Sequence, residues 1–266
     1  MISLSDISKT YSNGALALKN VSFEVPQGQF CVLLGHSGAG KSTILRLVNG
    51  LVRKTTGTIC VNGTEINQES IKDIRRKVSM IHQDFNLFPR SSVATNVMAG
   101  AIADVPIWRA LAGWFPSHIR KKCCEMVELV GLDEEHIHRR VSELSGGQQQ
   151  RVGIARSLML NPNIILADEP VASLDPSASR EVLRHLRNIA TDKNCTILCC
   201  LHQVDLAREF GDRILGVEGG EIVFDLMPDD IDEDVLRLIY RNYDDPHGVN
   251  IVKSSRLENA VKTLST

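Results

Sequence analysis

Apolar positions along the chain fall into short blocks of two kinds. Ile2 to Lys9 alternates loosely, and Val21-Ser22-Phe23-Glu24-Val25 alternates cleanly, which predicts half-buried strands on either side of an Asn13-Gly14 hairpin turn. Phe30 to Leu34 is continuously apolar and predicts a buried strand. Cys195 to Leu201 reads the same way, Gly57 to Gly63 reads as a strand closed by a turn, Val78 to His82 as another strand, and Ile164 to Glu169 as an apolar strand ending in two carboxylates. Arg213 to Val217 and Glu221 to Phe224 flank Glu218-Gly219-Gly220 as a hairpin. Helical spacing governs the rest. It predicts helices over Thr43 to Gly50 and Ser117 to Val130, the latter with Met126, Val127 and Val130 on one side. A further helix follows Gln148 and carries Val152, Ala155, Leu158 and Met159. Another follows Asp175-Pro176 and carries Val182, Leu183, Leu186, Ile189 and Ala190. A short helix, Val235 to Tyr240, follows the acidic stretch Asp229 to Asp234, which suits the helix dipole. Residues 84 to about 143, with Pro106, Pro116, Trp108, Trp114 and Phe115, read as a mostly helical insertion between two sheet strands.

Composition narrows the class. The chain has 266 residues, 43% of them hydrophobic, enough for one large domain or a domain with a subdomain. A net charge of −2 gives no sign of wholesale nucleic-acid binding. No run approaches the roughly 20 apolar residues of a membrane span, and Met1 to Asp6 lacks the marks of a signal peptide. Any membrane role is therefore expected to be peripheral. Among the seven cysteines none is spaced C-x-x-C. Cys31, Cys60, Cys195, Cys199 and Cys200 lie in apolar runs and are read as reduced core residues of a cytosolic protein. Basic residues recur at Arg75-Arg76-Lys77, Arg120-Lys121-Lys122 and Arg139-Arg140. Each is read as a solvated face, with anionic lipid headgroups as the lesser alternative.

The chemistry concentrates in a few stretches. Gly35-His36-Ser37-Gly38-Ala39-Gly40-Lys41-Ser42-Thr43 has the G-x-x-x-x-G-K-[ST] spacing of a P-loop, between a predicted strand and a predicted helix. Its glycines let backbone N–H groups wrap a phosphate, and the helix adds its positive end. Lys41 supplies a point charge for the outer phosphates, and the Ser42 hydroxyl suits Mg²⁺. Leu144-Ser145-Gly146-Gly147-Gln148 precedes a second helix, with Ser145 as N-cap and two glycines exposing backbone amides. An ordinary capped helix accounts for the serine but leaves the paired glycines unexplained. Asp168 and Glu169 end an apolar strand. Beside a P-loop, the first such acid commonly holds Mg²⁺ through water and the second can orient an attacking water. His202 ends another strand, where a lone histidine is usually structural. Tyr11, just before the Asn13-Gly14 turn, is either a packed strand aromatic or a stacking platform for a purine.

In this order, the P-loop, Leu144 to Gln148, the Asp168-Glu169 strand end and His202 resemble the ATP-binding subunits of ABC transporters, over about residues 1–240. The resemblance implies a P-loop α/β fold. Its parts would be a mainly parallel core sheet, an N-terminal antiparallel β subdomain and a helical subdomain at about 84–160. The domain would cover residues 1–243, followed by a polar tail over 244–266. It also implies roles: Tyr11 stacks adenine; Gly35 to Thr43 hold ATP; Gln83 senses Mg²⁺, water and the membrane partner; and Ser42, Gln83 and Asp168 attend the metal. Glu169 becomes the catalytic glutamate and His202 the switch histidine at the γ-phosphate. Leu144 to Gln148 meet the ATP of a second copy, and Asp175 faces the partner ATPase.

The wording between the motifs is similar to phosphonate importer ATPases, a pattern shared by phosphite and hypophosphite systems. It is carried by His82 to Leu87, Trp108-Arg109-Ala110-Leu111 with Gly113, Phe115 and Pro116, Leu166 to Pro176, and Leu201 to Ala207. Ala94-Thr95 departs from it, standing where a Leu-Glu pair is common. The implied protein hydrolyses ATP with Mg²⁺ as a homodimer that sandwiches two nucleotides. It sits peripherally on the cytoplasmic face of the cell membrane. It drives integral-membrane permease subunits and, indirectly, a solute-binding protein, with Gln83 and the helical insertion as the transmission surface. The alternatives are an amino-acid or methionine importer and a non-import ABC ATPase at the cell envelope. The interval from Gln83 to Leu144 is far too short, and too free of heptads, for the coiled coils of chromosome and repair relatives.

Overall fold

The computed structural model describes residues 1–172 and 174–240. Strands β1 (Ile2–Thr10) and β2 (Leu16–Val25) pair antiparallel about the Asn13-Gly14 turn, which Tyr11 and Ala15 close with a backbone hydrogen bond of 2.9 Å. β3 (Phe30–Leu34) leads through the glycine-rich loop into helix α1 (Lys41–Val48). β4 (Thr56–Val61) then returns to β1, with Ile2 opposite Val61, and β5 (Thr64–Glu65) completes a four-stranded sheet in the order β2-β1-β4-β5. Helix α2 (Ile71–Lys77) and β6 (Val78–Ile81) follow. The insertion holds α3 (Val93–Met98), α4 (Ile107–Leu111), α5 (Ser117–Leu129) and α6 (Gly146–Ser157). The chain continues with β7 (Ile164–Asp168), α7 (Pro176–Lys193), β8 (Thr196–Leu201) and α8 (Val204–Phe210). A hairpin, β9 (Arg213–Glu218) and β10 (Glu221–Leu226), precedes α9 (Glu233–Arg237).

The second sheet runs β10-β9-β3-β8-β7-β6, parallel throughout except for β10. Its central strands are buried on both faces, which is why they read as unbroken apolar runs. Side chains alternate across the pleat. Phe30, Val32 and Leu34 enter one hydrophobic cluster, while Cys31 and Leu33 enter the other. The first cluster joins the sheet to α3, α5, α6, α7 and α8, so the helical insertion shares a core with the sheet. The second packs α1 and the antiparallel sheet on the opposite face. Burying each large aliphatic or aromatic side chain stabilises the fold by about 1.5–3 kcal/mol before chain entropy is counted.

The predicted helix faces match the buried ones: Met126, Val127 and Val130, then Val152, Ala155, Leu158 and Met159, then Val182, Leu183, Leu186, Ile189 and Ala190. Some expectations need correction. The basic stretch before Val78 is helix α2. Arg75 does more there than face solvent, because its guanidinium donates to the carbonyls of Asn49 and Gly50, just past the end of α1. Cys60 is only half-buried, because it points to the face of β4 opposite the buried Ile59 and Val61. The antiparallel sheet is N-terminal as expected, with β4 and β5 joining it from beyond α1. The polar tail over 244–266 lies outside the described residues.

All seven cysteines are free. Burial pushes the Cys31 and Cys123 thiols up to about 12 and the Cys195 thiol up to about 11. Cys199 and Cys200 are raised by the same cause. Since the thiolate is the nucleophile, iodoacetamide at mildly alkaline pH is expected to alkylate the exposed Cys124 first. Cys31, Cys199 and Cys200 are expected to react only once denaturant unfolds the chain, as read by peptide mass spectrometry.

Candidate functional site

The loop between β3 and α1 sits at the carboxyl end of the parallel sheet, where open α/β sheets bind ligands. Register places the other groups there. Leu34 pairs with Leu201, so Gly35 lies beside His202, and Asp168 pairs with Cys200 on the next strand. The loop is clasped from outside the sheet as well. The Gly220 N–H donates to the Ala39 carbonyl, and the Lys19 N–H to the Gly220 carbonyl. Two glycines are required by this packing. A Cβ on Gly35 would lie 2.2 Å from the Val217 carbonyl oxygen. Gly40, at φ 112°, would bring one within 2.9 Å of the Ala17 carbonyl oxygen.

Inside this cage Lys41 is buried, and its ammonium donates to the carbonyls of Gly35 at 2.7 Å and His36 at 2.9 Å. Burial lowers its pKa, partly offset by Cys200, Glu169 and Asp168. Ser42 Oγ donates to Asp168 Oδ1 at 2.7 Å, and Asp168 is itself buried. His202 Nδ1 lies 3.0 Å from the Gly35 carbonyl and 3.5 Å from the Lys41 ammonium. Nε2 lies 2.5 Å from Glu169 Oε1, so the imidazole bridges that carboxylate and the loop. Glu169 takes a left-handed backbone at φ 49°, a conformation costing on the order of 1–3 kcal/mol that clusters at functional sites. The P-loop, Ser42, Asp168, Glu169 and His202 are thus brought together.

Other predicted groups stand around this centre. Tyr11 is half-buried, its hydroxyl 3.4 Å from Thr43 Oγ1 and its ring 4.9 Å from the Lys9 ammonium. His36, Ser37 and Gly38 are exposed at the loop tip, while Ala39 and Thr43 are buried. Gln83 lies two residues past Ile81, which pairs with Ala167, so the chain leaves the sheet beside Glu169. The Gln83 side chain is exposed, and no hydrogen bond joins it to Ser42 or Asp168.

A second cluster forms at the start of α6. Ser145 Oγ accepts the Gln148 N–H while Gln148 Oε1 accepts the Ser145 N–H, a capping box. Asp175 caps α7, accepting the N–H groups of Ser177 and Ala178 at 3.0 Å each. These two helix ends line a cleft of about 450 Å³ that no P-loop residue reaches. A Cβ on Gly146 or Gly147 would meet only ordinary contacts, at 3.9 Å from Leu174 and 3.8 Å from Ala178. The chain's own packing therefore does not require these glycines. Leu144 is buried beneath them.

Three residues here escape sequence reading. His136 is buried under the α6 cap. Its Nε2 accepts from Gln148 Nε2 at 3.0 Å, which leaves the proton on Nδ1, 3.7 Å from Asp133. Arg156 clasps the loop after Gln83 by donating to the carbonyls of Phe85 and Asn86, and burial lowers its pKa. Tyr240 donates to the His202 carbonyl at 2.9 Å and meets His36 edge-on, with ring centroids 4.7 Å apart. His136 ends a single 3-10 turn, Glu134–His136, among charged neighbours, where no periodicity singles it out. Arg156 and Tyr240 depend on long-range contacts that no local pattern announces.

The site can present a caged cation, backbone amides, a hydroxyl–carboxylate pair and an acid–imidazole pair to one phosphorylated ligand. Its shape rests on Gly35. Replacing Gly35 with Ala is expected to destabilise the protein by about 1–3 kcal/mol through overpacking, and calorimetry should show the lowered Tm.

Comparison with known proteins agrees with this arrangement. The family described as ABC transporter matches residues 18–172, more than half of the chain. The phosphonates import ATP-binding protein PhnC of Hydrogenovibrio crunogenus is 48% identical over 240 residues, covering 90% of this chain and 88% of that protein. The protein of the same name from Treponema denticola is 41% identical, covering 89% and 93%. Among solved structures, the dimeric ATP-binding cassette MJ0796 in a post-hydrolysis state with ADP and Pi is 32% identical. It covers 86% of this chain and 99% of that one, with a TM-score of 0.74. CbiO1 of Clostridium perfringens, part of the ABC transporter complex cbiONQ, is 26% identical, covers 91% and 95%, and has a TM-score of 0.77. By sequence and by fold alike, the chain belongs to the ABC transporter family as one of its ATP-binding proteins.

Proposed function

We propose that the chain is the ATP-hydrolysing subunit of an ABC importer for phosphonates or related reduced phosphorus compounds. The observation that carries the ATPase is the convergence of Lys41, Ser42, Asp168, Glu169 and His202 on one loop at the sheet's carboxyl edge. The substrate class rests on relatives named as phosphonate import proteins that align with nine-tenths of the chain.

The loop amides and Lys41 hold the outer phosphates, and Tyr11 offers a ring face for adenine. Ser42 and Asp168 fit Mg²⁺, being hard oxygen donors 2.7 Å apart. When bound, the ion would neutralise charge developing on the phosphates. Glu169 accepts a proton from the attacking water, and His202 holds that carboxylate in place from Nε2 while Gly35 fixes its Nδ1. Lys41, which must turn from loop carbonyls to phosphate oxygens, meets the developing charge.

The second helix end needs a second copy. The α6 cleft contains no P-loop residue, and its glycines clear a space the chain itself does not use. A two-fold pair would close each such end on the partner's γ-phosphate, giving two identical composite sites. The dimeric cassette MJ0796 supports that pairing. No described helix is long and apolar enough to cross a membrane. In this reading, separate permease subunits span the membrane and this chain drives them from the cytoplasmic side, a reading supported by relatives named as import ATP-binding proteins. Gln83, with the loop clasped by Arg156 and the exposed Phe88 and Ile102, offers the surface for it.

Glu169→Gln in the assembled transporter is expected to retain ATP binding while lowering turnover by about 10²–10⁴-fold, and phosphonate uptake into vesicles should fall with it. Unchanged turnover would move the base elsewhere. Uptake of methionine, but not of phosphonate, by the unaltered transporter would overturn the substrate class.

Sharing of the site has its own test. Ser145→Arg is expected to leave nucleotide binding by the single subunit intact while abolishing hydrolysis. Mixing it with Lys41→Ala should restore part of the turnover, because one site of the mixed pair carries both lesions and the other carries neither. Loss of nucleotide binding by Ser145→Arg alone would contradict sharing.

A further inference from the structure

We propose that the helical insertion carries a direct contact with anionic lipid headgroups, centred on Trp108 and Trp114. The contact goes beyond the ATPase and the permease contact proposed above. The chain has two tryptophans, and both stand on this short segment, 57% and 68% exposed. Large indoles held in water carry a cost that a surface partner would remove. The fold presents them deliberately. α4 ends in a tight turn, where the Trp114 N–H donates to the Arg109 carbonyl at 2.8 Å and the Gly113 N–H to Ala110 at 3.1 Å. The turn folds Trp114 back toward Trp108 around a shallow cleft of about 370 Å³, which Phe115, Pro116 and Arg120 also line. Arg109 lies with its guanidinium carbon 5.0 Å from the Trp108 ring centroid, so cation and indole sit at one level.

Charge decides between a bilayer and a protein as the occupant. Between Val105 and Lys122 the sequence contains Arg109, Arg120, Lys121 and Lys122 and no Asp or Glu. The nearest acid before it, Asp104, is paired with Arg76. Arg109, Arg120 and Lys121 are exposed. The charged residues that line the indole cleft, Arg109 and Arg120, are both cations, which matches the bilayer interface, where tryptophan rests at headgroup level and cations meet anionic lipid. The segment also follows directly on Ile102, part of the face proposed for the permease, which would bring it close to the membrane.

The two indoles make the test site-specific, since all tryptophan emission comes from this patch. The full-length protein would be titrated with vesicles of equal parts phosphatidylglycerol and phosphatidylcholine, and with phosphatidylcholine alone. The expected result is a blue shift with the anionic vesicles, quenching by brominated acyl chains, and loss of both in molar salt, where charges are screened beyond about 3 Å. Arg109→Glu with Arg120→Glu keeps both reporters. It should weaken vesicle binding by at least roughly 30-fold, from about 1 kcal/mol for each cation removed, while ATP turnover stays unchanged. Emission indifferent to anionic vesicles would overturn the proposal, as would equal binding by the charge-reversed variant. So would indoles shielded only in the detergent-solubilised complex, which would assign the patch to the permease.

Discussion

The site depends on one constraint, the parallel register of β3 between β8 and β9. Leu34 opposite Leu201 and Gly216 fixes where the glycine-rich loop begins, and the same ladder sets His202 and Asp168 at matching heights. A slip of one residue would turn every side chain to the other face of the sheet. Phe30, Val32 and Leu34 would then exchange clusters with Cys31 and Leu33, so hydrophobic burial on both faces locks the position of the polar groups at the edge. Core packing and site geometry are one and the same arrangement here.

That edge concentrates charge that would be costly if uncompensated. Lys41 and Asp168 are both nearly inaccessible, and each has specific partners: two loop carbonyls for the first, the Ser42 hydroxyl for the second. The pairing of Glu169 with His202 follows the same logic in a more accessible setting. Buried polar groups with interchangeable partners can be rearranged by a phosphate without passing through an unpaired state. The strained backbone at Glu169 is tolerated because the surrounding contacts determine it.

Much of this was legible in the chain because the signals are local. The P-loop spacing, the Ser145 N-cap and the Asp175-Pro176 helix start each span a few residues, and each follows from backbone chemistry that tertiary context does not override. The apolar runs declared the central strands for the same reason. Pairing partners were less accessible: β4 crosses back to β1, and nothing in Thr56 to Val61 states which strand it will meet. His136, Arg156 and Tyr240 were hidden because their value lies in contacts across 12, 70 and 38 positions of the chain. Helix α2 was masked by its charge, since only Ile74 is buried along it.

The clasp around the glycine-rich loop sets an order of assembly during synthesis. β3 leaves the ribosome early, yet both of its neighbours come late. The Gly35–His202 contact spans 167 positions, and the turn at Gly220 that holds Ala39 comes later still. At about 5–20 residues per second, the loop waits roughly ten seconds or more for the strands that shape it. Until then the nascent chain exposes an apolar strand with both edges open. Nucleotide binding is therefore acquired only once β8, β9 and the Gly220 turn have emerged, and a chain truncated before β9 would lack the strand that flanks the loop.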